Sequence, residues 1–308
     1  MIGRLAAAAI VVVVAGLVGF WFLSKPRTID IDAAALAEHQ PDLDNGRVMY
    51  LAGGCDSCHA APGAKGDDKR KLGGGQVLST PFGRFHVPNI SPDQEHGIGA
   101  WSLADFVNAV KFGVGPGSVH LYPAFPYTSY QRMRIGDIVD LKAFLDALPP
   151  VTDVSRPHEL PFPFRIRRGL GLWKLIYLDG RTFVPDPTAS DAINRGRYLV
   201  EGPGHCGECH TPRSFTGGAV ASRVLVGGPA PEGRGTIPNI TPHQTGIGDW
   251  SEDDIVAFLS SGFKPDFDVV GGAMAAVVED LAQLPKADVE AIAAYLKTVP
   301  PIASEDEG

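Results

Sequence analysis

An uncharged apolar run, LAAAAIVVVVAGLVGFWFL over residues 5–23, opens the chain. A run of that length is about what a helix needs to cross a bilayer. After it the pattern changes to short segments with apolar residues at helical spacing. Leu103, Phe106, Val107 and Val110 form one such face, and Ile255, Phe258 and Leu259 another. A second kind of segment carries Ile138, Leu141, Leu145 and Leu148, matched by Val289, Ile292, Leu296 and Val299. Ser102 and Ser251, each with an Asp three residues on, predict N-caps, and Gly113 and Gly262 predict the ends of those helices. The Pro-Pro pairs at 149 and 300 stop the last helix of each set. A further helix leads into each of two cysteine clusters. No segment alternates well enough for a large sheet, so the expected class is mainly α.

The pattern repeats, and so do the residues. Gly46-Arg47-Val48-Met49-Tyr50, leading to Cys55, matches Gly196-Arg197-Tyr198-Leu199-Val200, leading to Cys206. VPNISPDQEHGIGAWSLADFV from Val87 matches IPNITPHQTGIGDWSEDDIV from Ile237, and RIGDIVDLKAFLDALPPV matches PKADVEAIAAYLKTVPPI. The three matches keep their order, so a module of about a hundred residues is present twice. The expected organisation is an anchor or signal over residues 1–24, a linker over 25–41, one domain over 42–150, a Pro-rich connector over 151–190, a second domain over 191–302 and an acidic tail over 303–308.

Composition narrows the function. A formal charge of −8 and a pI near 5.6 exclude nucleic acid as partner, since neutralising phosphates needs clustered cations. The 37 Gly and 26 Pro fit short helices separated by loops. The apolar run ends in Phe20, Trp21, Phe22 and Leu23, which suits a retained interfacial anchor better than a cleaved signal with its small-residue cleavage site. The connector mixes Arg156, Arg165, Arg167, Arg168, Lys174 and Arg181 with Phe162, Phe164, Trp173 and Tyr177. It reads first as a strap across both modules, and second as a docking strip for a partner or a membrane surface. The tail SEDEG is expected to be disordered.

Cys55-Asp56-Ser57-Cys58-His59 and Cys206-Gly207-Glu208-Cys209-His210 are C-x-x-C-H motifs, which read as c-type haem attachment. Two cysteines three apart can bond the two vinyl groups of one haem, and the next residue, His, then sits under the iron. A zinc site would bring both pairs to one ion, whereas each pair here has its own His and its own module. All four cysteines are used in the motifs, which leaves none for a structural disulfide. Two covalent haems and two proximal ligands, His59 and His210, are therefore expected. Covalent haem assembly on the outer side of the cytoplasmic membrane places the modules in the periplasm.

A transfer haem commonly takes Met as sixth ligand. Met274, between the middle and last helices of the second module, is the candidate there, with core filling as the plain alternative. The aligned residue in the first module is Phe125, which cannot bind iron. Met133 ranks first for that iron, His120 second and an open site third; core packing is the plain reading of Met133, which aligns with Leu284. His86, His96, His205 and His243 read as loop residues, and Trp101 and Trp250 as pocket packing. Arg84 and Arg234 are candidates for haem propionates, and Asn89 and Asn239 for holding a loop or a propionate.

With these residues in view, the chain resembles the cytochrome c subunits of membrane-bound alcohol, aldehyde and sugar dehydrogenases. The resemblance rests on both C-x-x-C-H motifs, VPNIS and IPNIT with their G-I-G-x-W continuations, HLYPAFPYTSY from His120, FVPDP and HCGECHTPR, and spans residues 42 to 301. The expected fold is then two tandem class I cytochrome c-like helical domains, plus the N-terminal transmembrane helix read from the apolar run. The resemblance also implies a quinoprotein or flavoprotein dehydrogenase as electron donor, and a quinone, an oxidase or another cytochrome as acceptor. Two departures stand out: many members have three haem modules, and many read PAMPYTSY where this chain has PAFPYTSY. Electron transfer at the membrane is the leading expectation. A dihaem redox enzyme of peroxidase or thiosulfate dehydrogenase type, working at an open first haem, is the alternative; a haem sensor lacks any signalling segment to support it.

Overall fold

The computed structural model describes residues 2–29, 39–230 and 235–304. Helix α1, Ile2–Leu23, has no buried residue and is long and apolar enough to cross a bilayer. At 1.5 Å per residue its 22 residues extend about 33 Å. Part of the linker, residues 30–38, and the end of the acidic tail, residues 305–308, lie outside the described residues.

Beyond the linker the protein is mainly helical. In the first half, α2 (Leu43–Ala52) leads into the short α3 (Cys55–His59), followed by α4 (Leu103–Phe112), α5 (Tyr127–Tyr130) and α6 (Ile135–Asp146). Helix α7 (Gly169–Tyr177) lies in the connector. The second half runs α8 (Asp191–Glu201), α9 (Gly207–His210), α10 (Glu252–Ser261), α11 (Ala273–Leu281) and α12 (Lys286–Leu296). Small two-stranded antiparallel sheets trim the loops: β1 (Val77–Thr80) with β2 (Gly83–His86), β3 (Val114–Gly115) with β4 (Val119–His120), and β5 (Gly228–Pro229) with β6 (Thr236–Ile237).

The capping residues do what their spacing implies. Ser102 and Ser251 each form a capping box, with Asp105 and Asp254, and Gly113 and Gly262 end α4 and α10 at φ of 58° and 78°. The most extensive helix pairing in each half is between its first and last helix, α2 with α6 and α8 with α12. The repeated glycine explains how they come so close. A Cβ at Gly46 would overlap the Asp140 carbonyl, and one at Gly196 the Ala291 carbonyl. The buried apolar residues of both halves form one continuous core.

The connector touches both halves. Val151 and Asp153 carbonyls accept from Asn89, and Glu159 pairs with Arg84 and His86. Farther along, Trp173 Nε1 donates to the Thr216 carbonyl and Tyr177 bonds Ser214 and Thr216. Three helices were not expected: the short α5, α7, which has only about two turns of apolar sequence, and α11. Met274 lies in the first turn of α11, not in a loop, because Ala273-Met274-Ala275-Ala276 is a strong helix-forming run.

Candidate functional site

Each C-x-x-C-H motif sits at the end of a helix that the core holds in place. Gly54 precedes Cys55 with φ of 51°, a turn that lets α2 end and α3 begin at once. Cys55, Cys58 and Cys206 are half-buried and Cys209 is exposed. Burial pushes the Cys55 and Cys58 thiols up, and that of Cys206 up to about 12.

The histidines show how the repeated proline-asparagine turns serve the site. His59 Nδ1 is 2.9 Å from the Pro88 carbonyl, and His210 Nδ1 is 2.8 Å from the Pro238 carbonyl. A carbonyl only accepts, so Nδ1 carries the proton in both rings and Nε2 keeps its lone pair. Burial lowers both histidines, His59 to about 4, so both rings are neutral at physiological pH. A neutral ring fixed through its far nitrogen is what an iron ligand requires. Sequence reading singled out the neighbouring asparagines and missed the proline carbonyls, although both prolines stand in the aligned VPN and IPN stretches. Asn89 and Asn239 bind backbone: Asn89 Nδ2 holds Val151 and Asp153, Asn239 Nδ2 holds Ile302, and each Oδ1 accepts from the amide two residues on.

Ile90, Trp101 and Phe125 in the first half, and their aligned partners Ile240, Trp250 and Met274 in the second, are all partly buried against the core. The residues present therefore fit a flat apolar group held by two sulfurs and one imidazole.

The two motifs are neighbours. His205 Nε2 lies 3.2 Å from the Gly53 carbonyl and its ring packs on Tyr130 at 5.4 Å. Thr128 and Ser129 of α5 donate to Glu208 of the second motif at 2.6 and 2.7 Å. Burial raises Glu208, but the Arg213 guanidinium and the two hydroxyls outweigh it and hold its carboxyl below the usual range. Reciprocally, α11 from the second half reaches the first motif, where Glu279 pairs with Lys69 at 2.9 Å. There the buried Asp280 carboxyl faces that of Asp56. Burial, then Asp56, push Asp280 up to about 8.

The remaining candidates are placed as follows. Met274 is partly buried beside the core of the second half. Met133 is 1% exposed and sits in the core, as does its aligned Leu284. His120 is buried with both nitrogens engaged: Nε2 with the Ser24 carbonyl at 3.0 Å and Nδ1 with Lys174 Nζ at 3.1 Å. Arg84 pairs with Glu159 at 3.0 Å. Arg234 lies outside the described residues.

No family model matches the chain. A dihaem c-type cytochrome of Cereibacter sphaeroides is 51% identical over 298 residues, 97% of this chain and 98% of that protein. The chain belongs to the dihaem c-type cytochromes. It carries two covalently bound haem c groups. The fructose dehydrogenase cytochrome subunit of Gluconobacter japonicus is 39% identical over 265 residues. The cytochrome c subunit of the quinone-dependent alcohol dehydrogenase of Gluconobacter oxydans is 36% identical over 280 residues. This cytochrome spans 53% and 57% of those two subunits. A bound haem supplies one-electron chemistry, and electron transfer is the shared role of these cytochromes.

Proposed function

We propose that this cytochrome takes electrons from a quinoprotein or flavoprotein dehydrogenase and passes them to a quinone, an oxidase or another cytochrome. It does so from the periplasmic face of the cytoplasmic membrane, with α1 as a retained span. Residues 42–150 and 191–302 are two tandem class I cytochrome c-like domains, each holding one haem. Cys55 and Cys58 anchor the first haem and His59 is its proximal ligand; Cys206, Cys209 and His210 serve the second, with Met274 as sixth ligand. The observation that carries this reading is the pair of His–proline carbonyl bonds, in two motifs that touch through Gly53 and His205. Two haems attached at neighbouring motifs suit a donor that gives up two electrons one at a time. A potentiometric titration should show two one-electron steps per chain. The purified protein, once reduced, should be reoxidised by an acceptor without turning over peroxide or thiosulfate.

The first iron supports a second reading. Met133 ranks first from sequence, but its sulfur is packed where the second half has Leu284. His120 is tied to Ser24 and Lys174. Both observations favour a first iron with Phe125 beside its open face over one bound by Met133 or His120. That is the geometry a dihaem redox enzyme would use. Carbon monoxide binding to one haem, accompanied by catalytic turnover of peroxide or thiosulfate, would replace the carrier reading.

A further inference from the structure

Helix α7 has its polarity reversed for a helix facing water. It buries its only charged residue, Lys174, whose Nζ donates to the Phe112 and Gly113 carbonyls at 2.7 Å and bonds His120 Nδ1. Its outer side carries Leu175 and Ile176, the latter 74% exposed. A surface helix in water does the opposite. The segment before it adds exposed Phe162, Phe164 and Ile166, at every second residue. Phe215, 95% exposed, joins them from the second half. It sits on a turn tied to α7 by Trp173 Nε1 and the Thr216 carbonyl. In the same turn Gly217 abuts Phe82, which packs edge-on against Phe164 at 5.1 Å. An exposed apolar group of this extent on one contiguous set of elements marks a contact surface.

Two further observations say what that surface meets. It is continuous with the end of α1. Ser24 is fully buried against Gly171, whose Cβ would overlap the Ser24 backbone. Arg168 donates to the Trp21 carbonyl at 2.6 Å and to Ser24 Oγ at 2.9 Å, and its guanidinium lies 4.2 Å from the Trp21 ring. Its charge also differs from the rest of the chain. Residues 160–178 hold four cations, Arg165, Arg167, Arg168 and Lys174, and no acid, in a protein of net charge −8.

We propose that α7, the segment 162–166 and the Phe215 turn lie in the interfacial layer of the bilayer that α1 enters. Their apolar side chains reach the acyl boundary, and the exposed Arg165 meets anionic headgroups. The protein then touches the membrane twice, once across it and once along it. Both halves are seated, because Phe215 belongs to the second. This rests on α1 being a retained span, and the test separates the two ideas.

The full-length, haem-loaded protein is placed in nanodiscs of phosphatidylethanolamine and phosphatidylglycerol. Single cysteines are introduced by Ile176→Cys, Phe215→Cys, Val12→Cys and Glu290→Cys, and labelling by a charged maleimide is followed by mass. The native cysteines are consumed by the haems. Labelling at 176 and 215 should be about tenfold slower than at the exposed control 290, as it should be at 12 within the span. Slow labelling at 12 with fast labelling at 176 and 215 overturns the proposal and leaves the span intact. Fast labelling at 12 as well removes both. Protection at 176 and 215 that appears only when a purified dehydrogenase is added overturns the proposal in favour of a protein docking surface.

Discussion

The two haem motifs sit in nearly the same local frame and are treated differently by their neighbours. At the second, Glu208 is met by Thr128, Ser129 and Arg213, so its charge is satisfied. At the first, Asp280 is set carboxyl to carboxyl against Asp56. The second has Met274 where the first has the aligned Phe125. The first half also bonds the end of α1, where His120 meets the Ser24 carbonyl and Lys174 holds the other ring nitrogen. A duplicated sequence thus yields two sites, each crossed by residues of the other half, one of which has its carboxylate satisfied and the other of which sets two carboxyls together.

The largest test of this contrast exchanges the aligned Met274 and Phe125. Met274→Ala should remove a Met–iron charge-transfer band and lower the potential of one haem by on the order of a hundred millivolts. Phe125→Met should create a second such band and raise the potential of the other haem. If Met274→Ala leaves the near-infrared spectrum unchanged, the assignment at the second iron is lost.

The helix crossings should break the two halves equally. Gly46→Ala and Gly196→Ala each force a methyl group into a carbonyl and should each destabilise by about 1–3 kcal/mol. Thermal unfolding of the oxidised protein checks this; a large loss in only one variant would show that the crossings are not equivalent.

The carboxyls should give opposite pH slopes. Asp280 is raised, so the folded state holds its proton more tightly than the unfolded chain. Its contribution is full below its ordinary 3.8 and is lost as pH rises through about 8. Asp280→Asn should therefore flatten the fall in stability between about pH 4 and pH 8 and change no slope above it. Glu208 is lowered, so its contribution is present above 4.5 and is lost as pH falls through its folded value. Glu208→Gln should cost about 1–3 kcal/mol at neutral pH and nearly nothing in acid. Denaturant midpoints across pH measure both, and parallel slopes in the two variants would refute the contrast.

The smallest effect belongs to Met133→Leu. It nearly preserves volume in a core that already holds Leu284 at the aligned place, so it should cost under about 1.5 kcal/mol and leave both haem spectra unchanged. Loss of a Met–iron band would make Met133 the sixth ligand of the first iron.

What the sequence made legible was what repeats locally. Ser102 with Asp105, and Ser251 with Asp254, name their own caps, and Cys-x-x-Cys-His names its own cofactor. Partners contributed by distant segments were not legible. Nothing near Glu208 announces Thr128, and nothing near His120 announces Ser24, because these meetings depend on how the halves and the connector pack. Lys174 is the sharpest case: within an apolar segment it reads as a surface cation, yet three acceptors from the first half draw it inside. Met133 shows the converse, since its residue type invited a ligand role that its depth in the core weighs against.

The acceptors that orient His59 and His210 are main-chain oxygens. A codon change at position 88 or 238 alters a side chain and leaves the carbonyl in the chain, so no single missense mutation deletes the group that aims either imidazole. Only a shift of the backbone can do so, and Asn89 and Asn239 clamp that backbone from the next residue. The genetic vulnerability of each histidine's aim is thereby moved one position along, from the proline that holds the ring to the asparagine that holds the proline.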